Sequence, residues 1–490
     1  MTNHKQKLEI DQILDWFKSG EKKHEDFLIG TEHEKFLFTK DNFKRLGYDD
    51  ENGINKILEE ISGDGKWEKI IEDGNPIGLK NFSGSSISLE PGGQFELSGA
   101  PLKNLHQTCK EAGTHLELLK KISNKHDFLM MGIGHDPKWK REDVIWMPKK
   151  RYEIMSKYMP LVGEMGLDMM KRTTTIQANF DFASESDMKK KFRVAQSIQP
   201  VIIALYANSP FIEGKLTEFL SYRSHIWTKT DNDRCGLLPF IYDDDFSFER
   251  YVDYLLDVPM YFIVRNNKYI DFSGKNFKQF LEKKIKLDKL IEPEMKDWEI
   301  HLTTVFPEVR LKSFIELRGA DGGPWSRVCA LPAFWTGILY DEEILDQVSS
   351  IIKSWSYDQV KNFYKEVRIN GFNSYTPDKE NLKNFSKKII DLSSLGLKKR
   401  NIENAGKTED ENEKRHQKSD GIHVGEHPLF EPLAFLRRWT ECLHPGPCPF
   451  RRSFRRLVAR CVGFAHLPIN CARLSGSSSM TSSSYSARNE

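Results

Sequence analysis

Two residues of opposite charge, Glu316 and Arg318, stand two positions apart in the stretch 308–325 (EVRLKSFIELRGADGGPW). Polar and apolar residues alternate along its first half, which predicts a strand with one buried face and one open face. On the open face the carboxylate and the guanidinium would lie side by side, ahead of a glycine-rich turn. Such a pair is commonly an ion pair on a solvated sheet, and this stretch alone favours that interpretation.

Further carboxylates occur in two other strand-like segments. In 27–38 (FLIGTEHEKFLF) an apolar pattern is interrupted by charged residues, and on a strand Glu32 and Glu34 would share one face. A second segment carries Glu90 and Glu96 on either side of a Pro-Gly-Gly sequence, which would break or bulge the strand. Any single glutamate of this kind is more often a solvated residue than a ligand. Their joint occurrence on alternating strands favours a shared site.

The segment 171–182 (KRTTTIQANFDF) has the clearest alternation in the sequence, with Gln177 and Asn179 on its polar face. If these strands line one face, five carboxylates come together: Glu32, Glu34, Glu90, Glu96 and Glu316. Carboxylates so close would repel each other unless cations lie between them. Hard oxygen ligands suit divalent Mg²⁺ or Mn²⁺, so the sequence predicts a metal site there.

Basic residues on neighbouring segments could hold a phosphate or a substrate carboxylate. They are Lys171, Arg172, Arg223, Arg234 and Arg318. Arginine binds such groups through two parallel hydrogen bonds. Mg²⁺ and arginine around a nucleotide are typical of enzymes that transfer a phosphoryl group. The glycine-rich nucleotide motifs are absent: no GxxxxGK[ST] occurs, and Gly132 and Gly134 do not complete GxGxxG.

Histidines and cysteines give weaker signals. His33 and His135 stand alone and are more typical of packed or exposed histidines than of ligands. Residues 431–490 contain four cysteines and two histidines, but no CxxC pair, so a zinc site there is poorly supported.

The elements that would position these residues predict an α+β fold. Parallel strands buried on both faces read as continuous apolar runs, whereas these strands alternate, so we expect an antiparallel sheet. Helices would cover one face and leave the other to line a cleft. Helical patterns occupy 5–18, 51–62, 102–127, 187–207, 275–292, 324–356 and 357–397.

Composition restricts the class of protein. The 490 residues are 39% apolar and 29% charged with a net charge of +2, which gives no argument for a nucleic-acid or membrane partner. The N-terminus has no apolar region of a secretory signal and no Arg/Ser-rich transit character. Seven cysteines over so long a chain do not form a disulfide framework. We therefore expect a cytoplasmic protein.

Charge usage changes near the C-terminus. Residues 431–490 contain nine Arg, no Lys and three Glu, a net charge of +6, which leaves −4 for the rest. We expect a catalytic domain at 1–400, a charged linker at 401–430, and an Arg/Ser-rich tail at 431–490 that is disordered and foreign to the main fold.

Taken together, these motifs resemble glutamate–cysteine ligase of the type found in plants and alphaproteobacteria, from about residue 10 to 395. The matching segments are GTEHEKF (30–36), SLEPGGQFELSGAP (88–101), LHQTC (105–109), MGLDMMKRT (165–173), IQANFDF (176–182), NSPF (208–211), RSHIWTKTDNDR (223–234) and FPEVRLKSFIELRGADGGPWSRVCALPAFW (306–335). The resemblance implies a glutamine-synthetase-like fold whose antiparallel sheet forms a funnel-shaped active site. It implies that ATP drives the joining of L-glutamate and L-cysteine into γ-glutamylcysteine, the first step of glutathione synthesis.

The resemblance also implies roles for individual residues. The five glutamates would hold Mg²⁺, and Arg223 and Arg318 would be the catalytic residues that hold substrate carboxylate or the transferring phosphate. Substrate or ATP would also contact Arg172, Gln177, Asn179, Trp227 and Arg234. Cys109 and Cys329 match a pair that forms a disulfide in the family.

The sequence leaves the oligomeric state and the amine acceptor open. No cysteine lies between 236 and 328, where plant members carry a second, redox-switching pair, so we expect a monomer or homodimer without such switching. The residues themselves do not identify the amine substrate, which leaves a γ-glutamyl ligase with another acceptor. A non-catalytic binding protein on the same scaffold is the alternative from another class.

Overall fold

A nine-stranded antiparallel sheet forms the centre of the protein, whose computed structural model describes residues 8–285 and 291–405. The strands are β1 (Ile29–Thr39), β2 (Trp67–Glu72), β3 (Asn75–Asn81), β4 (Ser86–Leu89), β5 (Phe95–Ser98), β6 (Phe128–Met131), β7 (Thr175–Phe180), β8 (Phe211–Ile212), β9 (Lys215–Leu216), β10 (Cys235–Gly236), β11 (Phe262–Arg265), β12 (Lys268–Asp271), β13 (Phe306–Pro307), β14 (Val309–Leu311) and β15 (Ile315–Asp321). Their order in the large sheet is β14-β15-β7-β1-β5-β4-β3-β2, and β6 pairs with the far end of β1.

Fifteen α-helices accompany the sheet within the described ranges. They are α1 (Ile10–Lys18), α2 (Ile54–Ser62), α3 (Leu105–His126), α4 (Lys150–Val162), α5 (Gly166–Arg172), α6 (Glu185–Ser197), α7 (Gln199–Tyr206), α8 (Tyr222–Trp227), α9 (Phe248–Asp257), α10 (Phe277–Leu281), α11 (Met295–Leu302), α12 (Trp325–Leu339), α13 (Glu342–Ile351), α14 (Tyr357–Asn370) and α15 (Leu382–Ala405). In these ranges no helix combines the length and the apolar character needed to cross a membrane.

Strand β1 is the central element because it pairs along both edges. Its first half lies between β5 and β7, and its second half pairs with β6. Alternation sends its glutamates to one face and His33 to the other, where the His33 ring lies 5.6 Å from the His115 ring of α3. Helices α3 and α12 cover that second face. The α+β class, the antiparallel sheet and the helices on its outer face are therefore as predicted.

The stretch predicted as one strand at the start of 308–325 is a hairpin. Strands β14 and β15 pair with Arg310 directly opposite Glu316, and the turn between them spans 312–314. The Lys312 N–H donates to the Phe314 carbonyl at 2.8 Å. The turn contains neither Gly nor Pro, so the usual signal of a chain reversal is missing from the sequence.

Three further predicted elements differ from the structure. Residues Lys171 and Arg172 end helix α5 instead of beginning β7, because Arg172 forms an ion pair with Asp168 one helical turn earlier. The predicted helix 187–207 is divided into α6 and α7 around Ile198, two residues before a proline. Only Phe277–Leu281 of the predicted helix 275–292 is helical among the described residues.

The predicted domain boundaries fall near the end of the described residues. Helix α15 continues to Ala405, beyond the expected boundary at 400. The remainder of the predicted linker and the whole predicted tail lie outside the described residues.

Candidate active site

Glutamates from neighbouring strands meet on the face of the sheet opposite to α3 and α12. Glu34 lies directly across from Glu96 of β5, and Glu32 is paired with Gln177 of β7 on one side and Ser98 on the other. Since paired residues point to the same face, the register brings three carboxylates together at the middle of the sheet. We call Glu32, Glu34, Glu90, Glu96 and Glu316 the carboxylate cluster.

Glu90 joins this group through the turn between β4 and β5. The Glu90 N–H donates to the Gln94 carbonyl at 2.9 Å, and the Gly93 N–H donates back to the Glu90 carbonyl at 2.8 Å. Gly93 has φ +78°, a conformation that favours glycine. The Pro-Gly-Gly break therefore folds the chain into a tight loop that keeps Glu90 within electrostatic reach of Glu34 and Glu96.

Burial and mutual repulsion favour the protonated form of several members of the cluster. Burial, together with Glu316 and Glu96, raises the pKa of Glu32 to about 7. Burial and the charges of Glu96 and Glu90 raise the pKa of Glu34 well above its usual range, against the opposing effect of Arg223 and Arg318. The pKa of Glu96 is raised for the same reasons, burial first and Glu90 second.

The individual carboxylates also have neutral hydrogen-bond donors. Asn179 Nδ2 donates to Glu32 Oε1 at 2.8 Å, while Asn179 Oδ1 is buried without a partner in the described residues. Ser98 and Ser88 hydroxyls donate to Glu96 at 2.8 and 3.1 Å. These donors orient the carboxylates without neutralising them.

Glu316 differs from the other four because it is already surrounded by cations. Arg310 Nε and Nη2 both donate to its two oxygens, and Lys312 Nζ and Arg318 Nη1 lie 3.6 and 3.4 Å from Oε1. Burial alone would raise the pKa of Glu316, but Arg310, Lys312 and Arg318 outweigh it and lower the pKa. The predicted neighbour Arg318 is therefore a secondary partner, and the main ion pair crosses the hairpin to Arg310.

A β-bulge places Arg318. Residues Arg318 and Gly319 together face the single residue Gln177 of β7, because the register shifts between Leu317 and Ala320. Arg318 Nη1 donates to Gln177 Oε1 at 2.5 Å. The bulge thus directs the guanidinium toward the carboxylate cluster, where Glu316, Glu32 and Glu34 favour its charged form and raise the pKa of Arg318 despite its burial.

Arg223 approaches the same cluster from helix α8. Its Nη2 donates to the Arg318 carbonyl at 3.0 Å, and its charge acts on Glu34. The guanidinium lies 5.6 Å from the centre of the Trp227 ring, which in turn packs edge-on against Phe306. Trp227, Arg223 and Arg318 therefore form one side of the site.

Two arginines predicted as binding residues lie elsewhere. Arg172 forms ion pairs with Asp168 and with Glu213, and its Nη1 lies 2.9 Å from Glu213 Oε1. Arg234 is fully buried, and its Nε lies 2.6 Å from Asp231 Oδ2. Their hydrogen bonds also go to the main-chain carbonyls of Trp139, Thr304 and Pro259. Lys171 Nζ lies over the Trp146 ring, 5.0 Å from its centre. The structure does not bring these three residues to the carboxylate cluster.

Two lysines near the cluster were not predicted as site residues. Lys312 acts on both Glu316 and Glu32, and its place in the alternating stretch was a usable signal. Lys149 is half-buried near Glu90 and Glu96, and burial lowers its pKa. It precedes helix α4 in a sequence (PKKR) that carries no pattern to distinguish it.

The carboxylate cluster is suited to metal ions by its chemistry but is not a preformed metal centre. Across 8–285 and 291–405, no three His, Cys, Asp or Glu side chains are arranged to hold one ion. The donors are nevertheless hard oxygens, and burial together with mutual repulsion raises the pKa values of Glu32, Glu34 and Glu96. These three carboxylates are the residues that would hold a divalent cation.

The predicted disulfide partners are neighbours in the structure. Cys109 of α3 and Cys329 of α12 are free thiols that hydrogen-bond to each other, which raises the pKa of Cys329. They lie on helices of the outer layer, away from the carboxylate cluster.

Comparison with known proteins gives the family. The family model of Glutamate-cysteine ligase family 2 matches residues 28–428. Glutamate–cysteine ligase B, chloroplastic, of Oryza sativa subsp. japonica is 50% identical over 397 residues, 81% of this chain and 79% of the relative. The chloroplastic enzyme of Arabidopsis thaliana is 50% identical over 397 residues, 81% of this chain and 75% of the relative.

A solved structure is also similar, though more distantly. The glutamate–cysteine ligase of Francisella tularensis in complex with AMP is 14% identical and covers 89% of this chain and 93% of its own, with a TM-score of 0.46.

The plant relatives correct one expectation. They are named chloroplastic, which contradicts the cytoplasmic location predicted from the sequence. Matches of this extent and identity leave no doubt about descent: the chain belongs to the glutamate–cysteine ligase family and is a ligase of that family.

Proposed function

We propose that the carboxylate cluster and its two arginines catalyse the ATP-dependent joining of the L-glutamate γ-carboxylate to the amine of L-cysteine. The observation that supports this most strongly is the meeting of Glu32, Glu34 and Glu96 with Arg223 and Arg318 on one sheet face, in a chain of this family. The product is γ-glutamylcysteine, and the reaction is the first step of glutathione synthesis.

The chemistry requires activation of a carboxylate, because a carboxylate at neutral pH does not acylate an amine. A γ-carboxylate oxygen of glutamate attacks the γ-phosphorus of ATP, the bond to ADP breaks, and an acyl phosphate forms. The cysteine nitrogen then attacks the acyl carbon, loses a proton, and displaces phosphate. Positioning and charge neutralisation provide most of the catalysis in such a transfer, so no side-chain nucleophile is needed.

In this proposal Glu32, Glu34, Glu90 and Glu96 hold Mg²⁺, with Mn²⁺ as a substitute. When bound, the divalent cation would neutralise phosphate charge in the transfer. Glu316 is a weaker candidate than the sequence suggested, since a metal ion would have to compete with the bidentate Arg310. In this proposal Glu316 instead stabilises the charged form of Arg318.

Arginines and amides then receive the substrates. Arg318 and Arg223 hold the transferring phosphate or a substrate carboxylate. Arg318 also donates to Gln177, and Arg223 donates to the Arg318 carbonyl. Asn179 orients Glu32 and offers an unpartnered acceptor, and Trp227 shapes the substrate pocket. We leave Arg172 and Arg234 out of the proposed site because their donors are engaged by local carboxylates and carbonyls.

We also propose that Cys109 and Cys329 form a disulfide on oxidation. Their thiols already contact each other across α3 and α12. The third described cysteine, Cys235, has no thiol partner there and is paired by its main chain to Asp231 instead.

Phosphate release from ATP tests the proposed activity. With Mg²⁺ and glutamate present, we expect release to increase strongly when cysteine is added, and much less with other amino acids as the amine. Release that is independent of cysteine would contradict the assigned acceptor and favour another γ-glutamyl ligase. The absence of release with every amine would favour a binding protein.

A further inference from the structure

Two buried side chains, Glu308 and Tyr364, form a hydrogen-bond network next to the segments that carry Arg223 and Arg318. Neither side chain has a role in the proposed reaction. Tyr364, on helix α14, donates its hydroxyl hydrogen to Glu308 Oε1 at 2.5 Å and accepts from the Ser224 hydroxyl at 3.0 Å. Ser224 is the residue after Arg223 on α8. A glutamate before β14 is thereby linked through α14 to the helix that carries one of the proposed catalytic arginines.

Glu308 also contacts the bulge that carries the other arginine. Its carbonyl accepts from the Arg318 N–H at 3.0 Å. Gly319, the second residue of the bulge, lies so close that a Cβ there would collide with Glu308 Oε2 and with Gln199. Glu308 and the bulge are thus in direct contact through both main chain and side chain.

Burial raises the pKa of Glu308, while the charges of Arg223 and Arg318 and the Tyr364 hydroxyl favour its ionised form. Glu308 Oε2 is buried with no hydrogen-bond partner, as is Arg223 Nε. No carboxylate in the described ranges lies within ion-pair distance of Arg223, although Glu34, Glu308 and Asp321 all act on it electrostatically. Arg223 is therefore balanced at longer range, and its guanidinium stays available to an anionic substrate.

Asp321 shows the contrast that singles out Glu308. Its two oxygens accept from the Ser209 hydroxyl at 2.7 Å, the Ser221 hydroxyl at 2.8 Å and the Asn208 N–H at 2.8 Å. Both oxygens of Asp321 accept hydrogen bonds from loop residues, whereas one oxygen of Glu308, next to Gly319 of the bulge, has no hydrogen-bond partner among the described residues.

We propose that Glu308 and Tyr364 are positioning residues for the reaction, acting through Arg223 and the Arg318 bulge. Tyr364 holds one Glu308 oxygen, and the remaining charge of Glu308 holds the Arg223 guanidinium in the orientation that receives the anionic group of the substrate. This inference rests on the proposed function, because Arg223 and Arg318 are the two arginines that hold substrate groups in that proposal.

The test is a double-mutant cycle on the full-length enzyme, measured as kcat/KM for glutamate at saturating ATP and cysteine. Glu308→Gln keeps the shape and the acceptor for Tyr364 but removes the charge, and Tyr364→Phe removes only the hydroxyl. Each is made alone and together with Arg223→Lys, which keeps the charge but loses the planar guanidinium. Tyr357→Phe, on the same helix and half-buried outside this network, is the matched control.

We expect each single variant to lower kcat/KM by about tenfold, as for loss of a hydrogen bond to a charged group, and to lower it little further in the Arg223→Lys background. Tyr357→Phe should match the wild type. Equal losses in both backgrounds, or folded variants with wild-type kinetics, would overturn the positioning role. If Glu308→Gln does not fold, Tyr364→Phe decides alone.

Failure of the proposed function has a different signature in the same data. If Arg223→Lys is as active as the wild type, Arg223 holds no substrate group, and the positioning role is overturned with it. If Arg223→Lys is impaired while Glu308→Gln and Tyr364→Phe are not, only the present inference is wrong.

Discussion

Arg310 and Glu316 face each other directly across the β14–β15 hairpin, and two guanidinium nitrogens of Arg310 donate to the two oxygens of Glu316. A third nitrogen, Nη1, donates to the Val305 carbonyl at 2.9 Å. The pair is almost fully buried. The hairpin that carries Arg318 is therefore fixed by an ion pair next to the proposed substrate site.

Breaking this pair should destabilise the fold. Arg310→Met leaves the Glu316 charge buried without its bidentate partner, so we expect the free energy of unfolding to fall by about 3–5 kcal/mol in urea titrations at pH 7. Lys66→Met, which removes a partner from an exposed pair with Asp64, should cost at most about 1 kcal/mol. A loss below that value for Arg310→Met would mean that Lys312 and Arg318 hold Glu316 by themselves.

The same pair gives the direction of a pH effect. The folded-state pKa of Glu316 lies below its ordinary value of 4.5, so its stabilising contribution is present above that pH and is lost as the pH falls toward the folded-state value. The stability difference between wild type and Glu316→Gln should therefore shrink below about pH 4. A constant difference from pH 7 to the acid limit would contradict the pairing.

Binding of Mg²⁺ should release protons near pH 6. The pKa of Glu32 is raised to about 7 and those of Glu34 and Glu96 are also raised, so these groups carry protons that a divalent cation would displace. Titration calorimetry in buffers of different ionisation enthalpy would measure the release, which should be smaller at pH 8.5 and in Glu32→Gln. Glu68→Gln, exposed on β2, is the control. Mg²⁺ binding without proton release at pH 6 would place the ion elsewhere.

Without metal, Glu32 also has a defined effect on stability. Because the pKa of Glu32 is raised to about 7, its contribution to the free energy of unfolding is full below the ordinary value of 4.5 and is lost as the pH rises through about 7.

Lys35, on the helix-covered face of β1, should make stability rise with pH. Its side chain is buried against His33, and burial lowers the pKa of Lys35 to about 7 against the opposing charge of Glu34. From about pH 7 to 10 the unfolded chain holds a proton that the folded chain lacks, so folding becomes more favourable as pH rises.

We therefore expect Lys35→Met to be more stable than the wild type at pH 6, by about 1–3 kcal/mol, with the advantage shrinking toward pH 10. Chemical denaturation across this range measures it, with exposed Lys80→Met as the control. An advantage that does not change with pH would show that Lys35 is not neutralised in the folded protein.

Much of the site followed from alternation. Period-two patterns in β1 and β7 place Glu32, Glu34, Gln177 and Asn179 on one face of the sheet, because side-chain direction on a strand depends only on parity. An alternating pattern does not reveal a turn that lacks both Gly and Pro. The hairpin and the ion pair between Arg310 and Glu316 were therefore not predicted. A one-residue bulge at Arg318 is equally invisible to it.

The misplaced arginines could have been recognised from local spacing. Asp168 stands four residues before Arg172, and Asp231 three before Arg234, which are the separations at which charged side chains meet on one turn. Arg223 and Arg318 have no acidic residue at such a distance that takes their donors. Arg318 Nη1 lies 3.4 Å from Glu316 Oε1, and Arg223 acts electrostatically on Glu34.

The most direct test of the proposed reaction follows one oxygen atom. Glutamate labelled with a heavy oxygen isotope in its γ-carboxylate is turned over with ATP, Mg²⁺ and cysteine, and the released phosphate is analysed by mass spectrometry. If the carboxylate attacks the γ-phosphorus as proposed, each phosphate released carries one labelled oxygen. Unlabelled phosphate formed together with γ-glutamylcysteine would contradict the acyl phosphate and the account built on it.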